Sequence, residues 1–245
     1  MDFLLKEDIL LEEDILLEED ILLEEDETEW MLDISDSIDW IKDSKIKFNN
    51  PAFKNAKYAG PTHISNYVTN YLYMGGYPNT PADINTLINA GINTFVCLNG
   101  SDKHEFYKYE NYLPKNINYI NEPIDDMNTT SDKKIILLCR NIVERIYSKK
   151  EKVFVHCAGG HGRTGTVVAV ILYLIYKLPI EKIFDYLQFT HDQRHGNFFG
   201  KSYYTMKLYT NNPMKKYYAL GQVPSPQTEK QIKQVKRIIQ LLINF

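Results

Sequence analysis

Between Val153 and Val170 the chain reads VFVHCAGGHGRTGTVVAV, and the apolar run continues to Tyr176. A short strand-like segment, a loop half made of glycine and a long apolar segment in this order describe a strand that hands over to a helix lying back on the same sheet. A strand, a glycine-rich loop and a helix start together form a concavity of backbone N–H groups with the positive end of a helix dipole behind it, which suits a phosphate-like dianion. Gly159, Gly160 and Gly162 permit the dihedrals and the close backbone approach that such a cradle needs. Arg163, six positions after Cys157, returns over the cavity in the first helical turn, where its fork can hold two oxygens at once. Cys157 lies at the cavity floor in the same positive field, which favours the thiolate as a nucleophile. A turn that only joined strand to helix would not need His156, Cys157, Arg163, Thr164 and Gly165 together. The loop holds no lysine, unlike the nucleotide-binding G-x-x-x-x-G-K-[ST] pattern.

From about Asn66 onward strand-like and helix-like patterns alternate. NYLYMGG, INTFVCLNG, INYINEPI and VFVHC read as strands. A helix starts at Thr80-Pro81, a polar cap followed by proline at the first helical position, and Ser131 caps another through about Lys149. Arg163–Lys177 is a helix with apolar residues nearly all round, and Pro179 opens PIEKIFDYLQF. This alternation predicts an α/β fold, a central mostly parallel sheet flanked by helices on both faces. Ligands of such sheets sit beyond the carboxyl ends of the strands, where HCAGGHGRTG falls.

Composition adds an asymmetry. Residues 1–30 carry fourteen acidic side chains against one lysine, so with the whole chain at −4 the remainder stands at +9. A basic folded part fits an anionic substrate, and equally a solvated surface rich in lysine. ILLEED occurs three times between Ile9 and Asp26. A six-residue period turns about 600° on a helix, so no single apolar stripe forms. Residues 1–30 read as an acidic low-complexity repeat tail, or a helix that forms only with a partner. Residues 31–60 read as a linker or docking segment with two tryptophans in reach, Trp30 and Trp40. Cys97, Cys139 and Cys157 are odd in number and widely spaced, no amino-terminal signal pattern precedes them, and no metal-ligand spacing appears, so the expectation is a reduced, cytoplasmic protein without metal. The longest apolar run, Val167–Tyr176, falls short of the roughly 20 residues a membrane span needs.

HCAGGHGRTG closely resembles the signature loop of the cysteine-dependent protein tyrosine and dual-specificity phosphatases, H-C, five residues, then R-[ST]-G. NYLYMGGYP is similar to the opening strand of that domain, EPIDDMN to its acid loop about thirty residues before the cysteine, and VPSPQTEKQ to the segment bearing a water-positioning glutamine. The resemblance runs from about Ile64 to the carboxyl end and frames a phosphatase domain at 61–245. An H-D-x-R element such as His191–Arg194 is followed closely by the P-x-Q segment in the family. Here an insertion at about 195–222 intervenes, with five tyrosines, two phenylalanines and four lysines between His195 and Gln222. It could read a substrate face or pack as a surface excursion.

The resemblance implies hydrolysis of phosphate monoesters on phosphotyrosine, and on phosphoserine or phosphothreonine, of a phosphorylated protein substrate, with no cofactor and no nucleic-acid partner. Cys157 would form a phosphocysteine. Ala158, Gly159, Gly160, His161, Gly162 and Arg163 would hold the phosphate, Thr164 would hydrogen-bond the departing sulfur, and His156 would orient the loop from behind. The P-I-x-D alignment favours Asp126 as the acid, with Asp125 as the alternative; Gln227 is the candidate for placing water, with Gln231 the weaker one. Cys97 corresponds to a cysteine that in some relatives traps the oxidised nucleophile as a disulfide, and could equally be a core residue. His63, His104, His191 and His195 fit surface or packing positions. A phosphatase of phosphoinositides or RNA 5′-triphosphate ends, and an inactive phosphate-binding module, are the competing expectations.

Overall fold

The computed structural model describes residues 59–100, 108–194 and 223–244. The acidic tail, nearly all of the linker with Trp30 and Trp40, the 195–222 insertion, His104 and His195 lie outside the described residues. Among the described residues five strands form one sheet: β1 (Ser65–Tyr67), β2 (Leu72–Gly75), β3 (Thr94–Asn99), β4 (Asn118–Ile124) and β5 (Val153–His156), in the order β1-β2-β5-β3-β4. β2, β5, β3 and β4 run parallel, as the alternating pattern requires, and β1 adds an antiparallel edge. This edge strand is absent from the sequence reading. Thr69 creates it: its hydroxyl accepts from the Leu72 N–H at 3.0 Å and its own N–H donates to the Leu72 carbonyl at 3.0 Å, which reverses the chain ahead of β2.

Among the described residues five α-helices accompany the sheet: α1 (Pro81–Asn89), α2 (Asp132–Ser148), α3 (Gly162–Tyr176), α4 (Ile180–His191) and α5 (Glu229–Asn244). The Thr80 hydroxyl accepts from the Asp83 N–H at 3.1 Å and the Ser131 hydroxyl from the Lys134 N–H at 3.3 Å, so both expected caps satisfy donors at a helix start. Helix α5 is also missing from the sequence reading. Its pattern is amphipathic, with Ile232, Val235, Ile238 and Ile239 buried and Lys230, Lys233 and Lys236 exposed.

Side chains of β5 alternate across the sheet. Phe154 joins Tyr73, Phe95, Ile84 and Leu87 in a cluster on the α1 side. Val153 and Val155 point to the opposite face, where α3 packs against β2 and β5 and is covered in turn by α2, α4 and α5. Every residue of α3 from Gly162 to Ile175 is buried, which explains a helix apolar all round. Because β5 lies between β2 and β3, with His156 level with Gly75 on one side and Cys97 on the other, the next residue, Cys157, emerges at the middle of the sheet's carboxyl edge. Among the described residues no helix is long and apolar enough to cross a membrane.

Candidate active site

For the N–H groups of the Cys157 loop to converge, its carbonyls must point outward, and buried carbonyls need donors. Four consecutive ones have them. The Ala158 carbonyl accepts from the Tyr77 N–H at 3.0 Å. Those of Gly159 and Gly160 accept from the two terminal nitrogens of Arg194 at 3.2 and 2.7 Å. That of His161 accepts from the Ser225 hydroxyl at 2.8 Å. Gly160 has φ +72, and a Cβ there would stand 2.2 Å from the Gly75 carbonyl, so the loop leans directly on the end of β2 and only glycine fits.

Arg194 is 6% exposed, and its Nε donates to Asn66 Oδ1 at 2.6 Å, so every arm of the guanidinium is engaged. Burial pushes it down to about 10, which leaves it charged at neutral pH, and the nearby Cys157 and Asp192 favour that charge. Beside it His161 Nδ1 lies 2.7 Å from His191 Nε2, and His191 Nδ1 lies 3.1 Å from Asp192 Oδ1. Burial pushes His161 down to about 3 and His191 well below its ordinary value, so both rings are neutral under physiological conditions.

On the sheet side His156 is fully buried, its Nε2 is 2.5 Å from the Tyr109 hydroxyl, and its ring stacks on Phe154. Burial pushes His156 down to about 3 and holds the Tyr109 hydroxyl well above its usual value. Cys157 is 3% exposed. The Thr164 hydroxyl is buried without a hydrogen-bond partner among the described residues. Cys97 is level with His156 across β3 and β5, and burial pushes its thiol up. Cys139 is buried in α2 with its Sγ 3.5 Å from the Val167 carbonyl.

Arg163 is 2% exposed and crosses to the loop after β4: Nη1 donates to the Ile124 carbonyl and Nη2 to Asp126 Oδ1, both at 2.9 Å. That loop is a tight turn, in which the Asn128 N–H donates to the Asp125 carbonyl at 3.0 Å and Met127 takes φ 59. The Asp126 side chain is 63% exposed. Asp125 is exposed as well, and Arg163 reaches Asp126. Gln227 and Gln231 are both buried at the start of α5. The structure therefore brings the Cys157 loop, Arg163, Asp126 and the glutamine segment to one edge. Among the described residues no group of three or more His, Cys, Asp or Glu could hold a metal ion.

Residues 61–189, more than half of the chain, match the family described as "PTP-SAK: Swiss Army Knife protein, DSP-PTPase phosphatase domain". The chain belongs to this family. It is 31% identical over 131 residues to "Putative tyrosine phosphatase 067L" of Invertebrate iridescent virus 3 and 30% identical over 124 residues to "Putative tyrosine phosphatase 197R" of Invertebrate iridescent virus 6. These alignments cover 52% and 49% of this chain and 53% and 45% of the relatives, so the chain spans about half the length of each. The crystal structure of Tk-PTP in the active form has the same fold, with TM-score 0.51 at 16% identity, covering 72% of this chain and 96% of that one.

Within this phosphatase domain, the supports of the loop's outer face are what sequence reasoning missed. His191 and Arg194 stand three residues apart at the end of α4, and that spacing puts both on one face of a helical turn. The H-D-x-R element carried the signal, but its partners, Gly159, Gly160 and His161, lie 30 to 35 residues away and leave no local periodicity. Tyr109 follows a segment without strand or helix pattern and gave none.

Proposed function

We propose that the chain hydrolyses phosphate monoesters on phosphotyrosine, and on phosphoserine or phosphothreonine, of protein substrates through a phosphocysteine at Cys157. The reading is carried by one observation: Arg163, in the first turn of α3 next to the Cys157 loop, also bonds the carboxylate of Asp126. The family and the tyrosine phosphatase names of the two viral relatives support it.

The sulfur of Cys157 attacks phosphorus while the bond to the leaving oxygen breaks and Asp126 protonates that oxygen. Arg163 and the N–H groups of Ala158 to Arg163 hold the three equatorial oxygens, and the loop backbone needs no rearrangement because its outward carbonyls are already bonded. An incoming dianion competes for Arg163 Nη2 and so releases Asp126 toward the leaving group. In the second step Asp126 takes a proton from water placed by Gln227, and the Thr164 hydroxyl, with no other partner among the described residues, hydrogen-bonds the departing sulfur. His156 acts from behind as a neutral orienting group. Cys97 is suited to protect the nucleophile: its thiol sulfur would attack a sulfenic acid formed on Cys157 by peroxide, releasing water and leaving a disulfide that reductant reverses.

Steady-state hydrolysis of an aryl phosphate and of a phosphopeptide panel by wild type and Cys157→Ser tests this. The variant should lose turnover and still bind a phosphotyrosine peptide. Appreciable hydrolysis by Cys157→Ser would overturn the mechanism, and a panel answering only to phosphotyrosine would narrow the substrate class.

A further inference from the structure

Thr228 and Gln231 form a capping box at the start of α5. The Thr228 hydroxyl accepts from the Gln231 N–H at 3.3 Å, and Gln231 Oε1 accepts from the Thr228 N–H at 3.0 Å. Such a box needs only an oxygen on the third helical residue, and glutamate serves as well as glutamine. Gln231 does more with its amide. Oε1 also accepts from the N–H of Gln227 at 3.2 Å, and Nε2 donates to the carbonyl of Asn128, at the end of the acid turn, at 3.0 Å. A Cβ on Gly162 would lie 2.7 Å from Oε1, so the same side chain is wedged against the phosphate loop. It is fully buried.

We infer that Gln231 is the positioning residue that latches the acid turn to the phosphate loop and to the Gln227 segment while Arg163 is occupied by substrate. The acid turn hangs from two sides. Arg163 holds its beginning, at Ile124 and Asp126, and Gln231 holds its end, at Asn128, where Lys230 also bonds the Asn128 side chain. Substrate phosphate takes Nη2 of Arg163, so the first anchor weakens at the moment Asp126 must be in place. The bond from Gln231 to a backbone carbonyl involves no phosphate and persists. Gln231 Oε1 is taken up by two backbone N–H groups and one Nε2–H by the Asn128 carbonyl, which fits a tether between segments. This inference rests on the reading of Asp126 as the acid.

Gln231→Glu separates the two tasks, because it keeps the oxygen of the capping box and of the Gln227 contact and loses the donor to Asn128. Its kcat/KM should be compared on phenyl phosphate, whose leaving oxygen needs a proton, and on 2,4-dinitrophenyl phosphate, whose leaving oxygen does not. The expected loss is about tenfold greater on phenyl phosphate, a fraction of the usual worth of general acid catalysis. Equal losses on both overturn the inference. Thr228→Ala, which weakens the cap and spares the latch, should lower thermal stability with no such split; a split of the same size there also overturns it. Asp126→Asn tests the acid itself. If that variant shows no split, the acid assignment falls, and amide exchange at 127–130 decides the latch: faster exchange in Gln231→Glu than in Thr228→Ala sustains it, equal exchange ends it.

Discussion

The phosphate loop and the acid turn meet through Arg163 but are held in opposite ways. Ala158 to His161 are bonded through every carbonyl to other elements, Arg194 and His191 close the outer side, and Tyr109 fixes His156 beneath. Asp125 and Asp126 face solvent on a turn whose ties are at its ends. A group that must present several N–H dipoles at once gains from rigidity, since dipoles that need no reorientation stabilise charge most. A proton donor must exchange protons with water between steps, and exposure at 63% permits that. The difference teaches that one site can divide rigidity and access between two adjacent loops.

Removing the acid should expose the sharpest asymmetry. Asp126→Ala is expected to lower kcat by roughly 10²–10⁴-fold, to flatten the acid-dependent limb of the pH profile, and to leave vanadate binding undiminished or tighter, because the loop that binds oxyanions keeps its braces and Arg163 loses its competing carboxylate. If Asp125→Ala produces this loss instead, the acid is its neighbour and Arg163 bonds a bystander.

Breaking the brace should do the reverse. Arg194→Met orphans the carbonyls of Gly159 and Gly160, at roughly 1–3 kcal/mol for each buried group. Vanadate affinity, read from competitive inhibition, should fall about tenfold or more and the midpoint of thermal unfolding should drop. Arg194→Lys should recover little, since a single ammonium cannot span two carbonyls and Asn66. Vanadate affinity within twofold of wild type in Arg194→Met would mean that the loop holds its shape unaided, and the contrast with the acid turn would lose its basis.

The two loops were also unequally legible. The inner side of the phosphate loop shows in the sequence because the chemistry demands a cysteine, glycines and an arginine within ten residues, an unusual local pattern. The acid turn was found by resemblance, and the choice of Asp126 over Asp125 is one that spacing alone leaves open. The α/β alternation and the parallel arrangement of β2, β5, β3 and β4 followed from hydrophobic runs and caps at Thr80 and Ser131. Strand β1 escaped because three residues are too few to show alternation. Helix α5 escaped although Thr228-x-x-Gln231 before Ile232, Val235 and Ile238 is a capping box ahead of an apolar stripe, which was legible in principle. Arg194, His191 and Tyr109 act across distances of 30 to 128 residues, and only the folded chain reveals such pairs.

The smallest effect tests the rigid loop from the side of stability. His156 is neutral in the fold, pushed by burial to about 3, whereas in the unfolded chain it takes a proton near 6.5. Its folded value lies below its unfolded one, so the unfolded state binds more protons between those values, and acidification favours unfolding. The contribution is therefore intact above about pH 6.5 and is lost as pH falls toward 3, at up to about 1.4 kcal/mol per pH unit for this one group. His161 and His191 work in the same direction because burial lowers both. Thermal unfolding followed from pH 7 to pH 5 should show a falling midpoint, and His156→Asn should flatten that fall while leaving some of it to the other pair. Carboxylates that lose charge over this range act equally on wild type and variant, so the difference between the two slopes isolates the histidine. Parallel slopes would mean that water reaches His156 in the folded state, and the loop would then be less tightly packed on its sheet side than on the side that Arg194 closes.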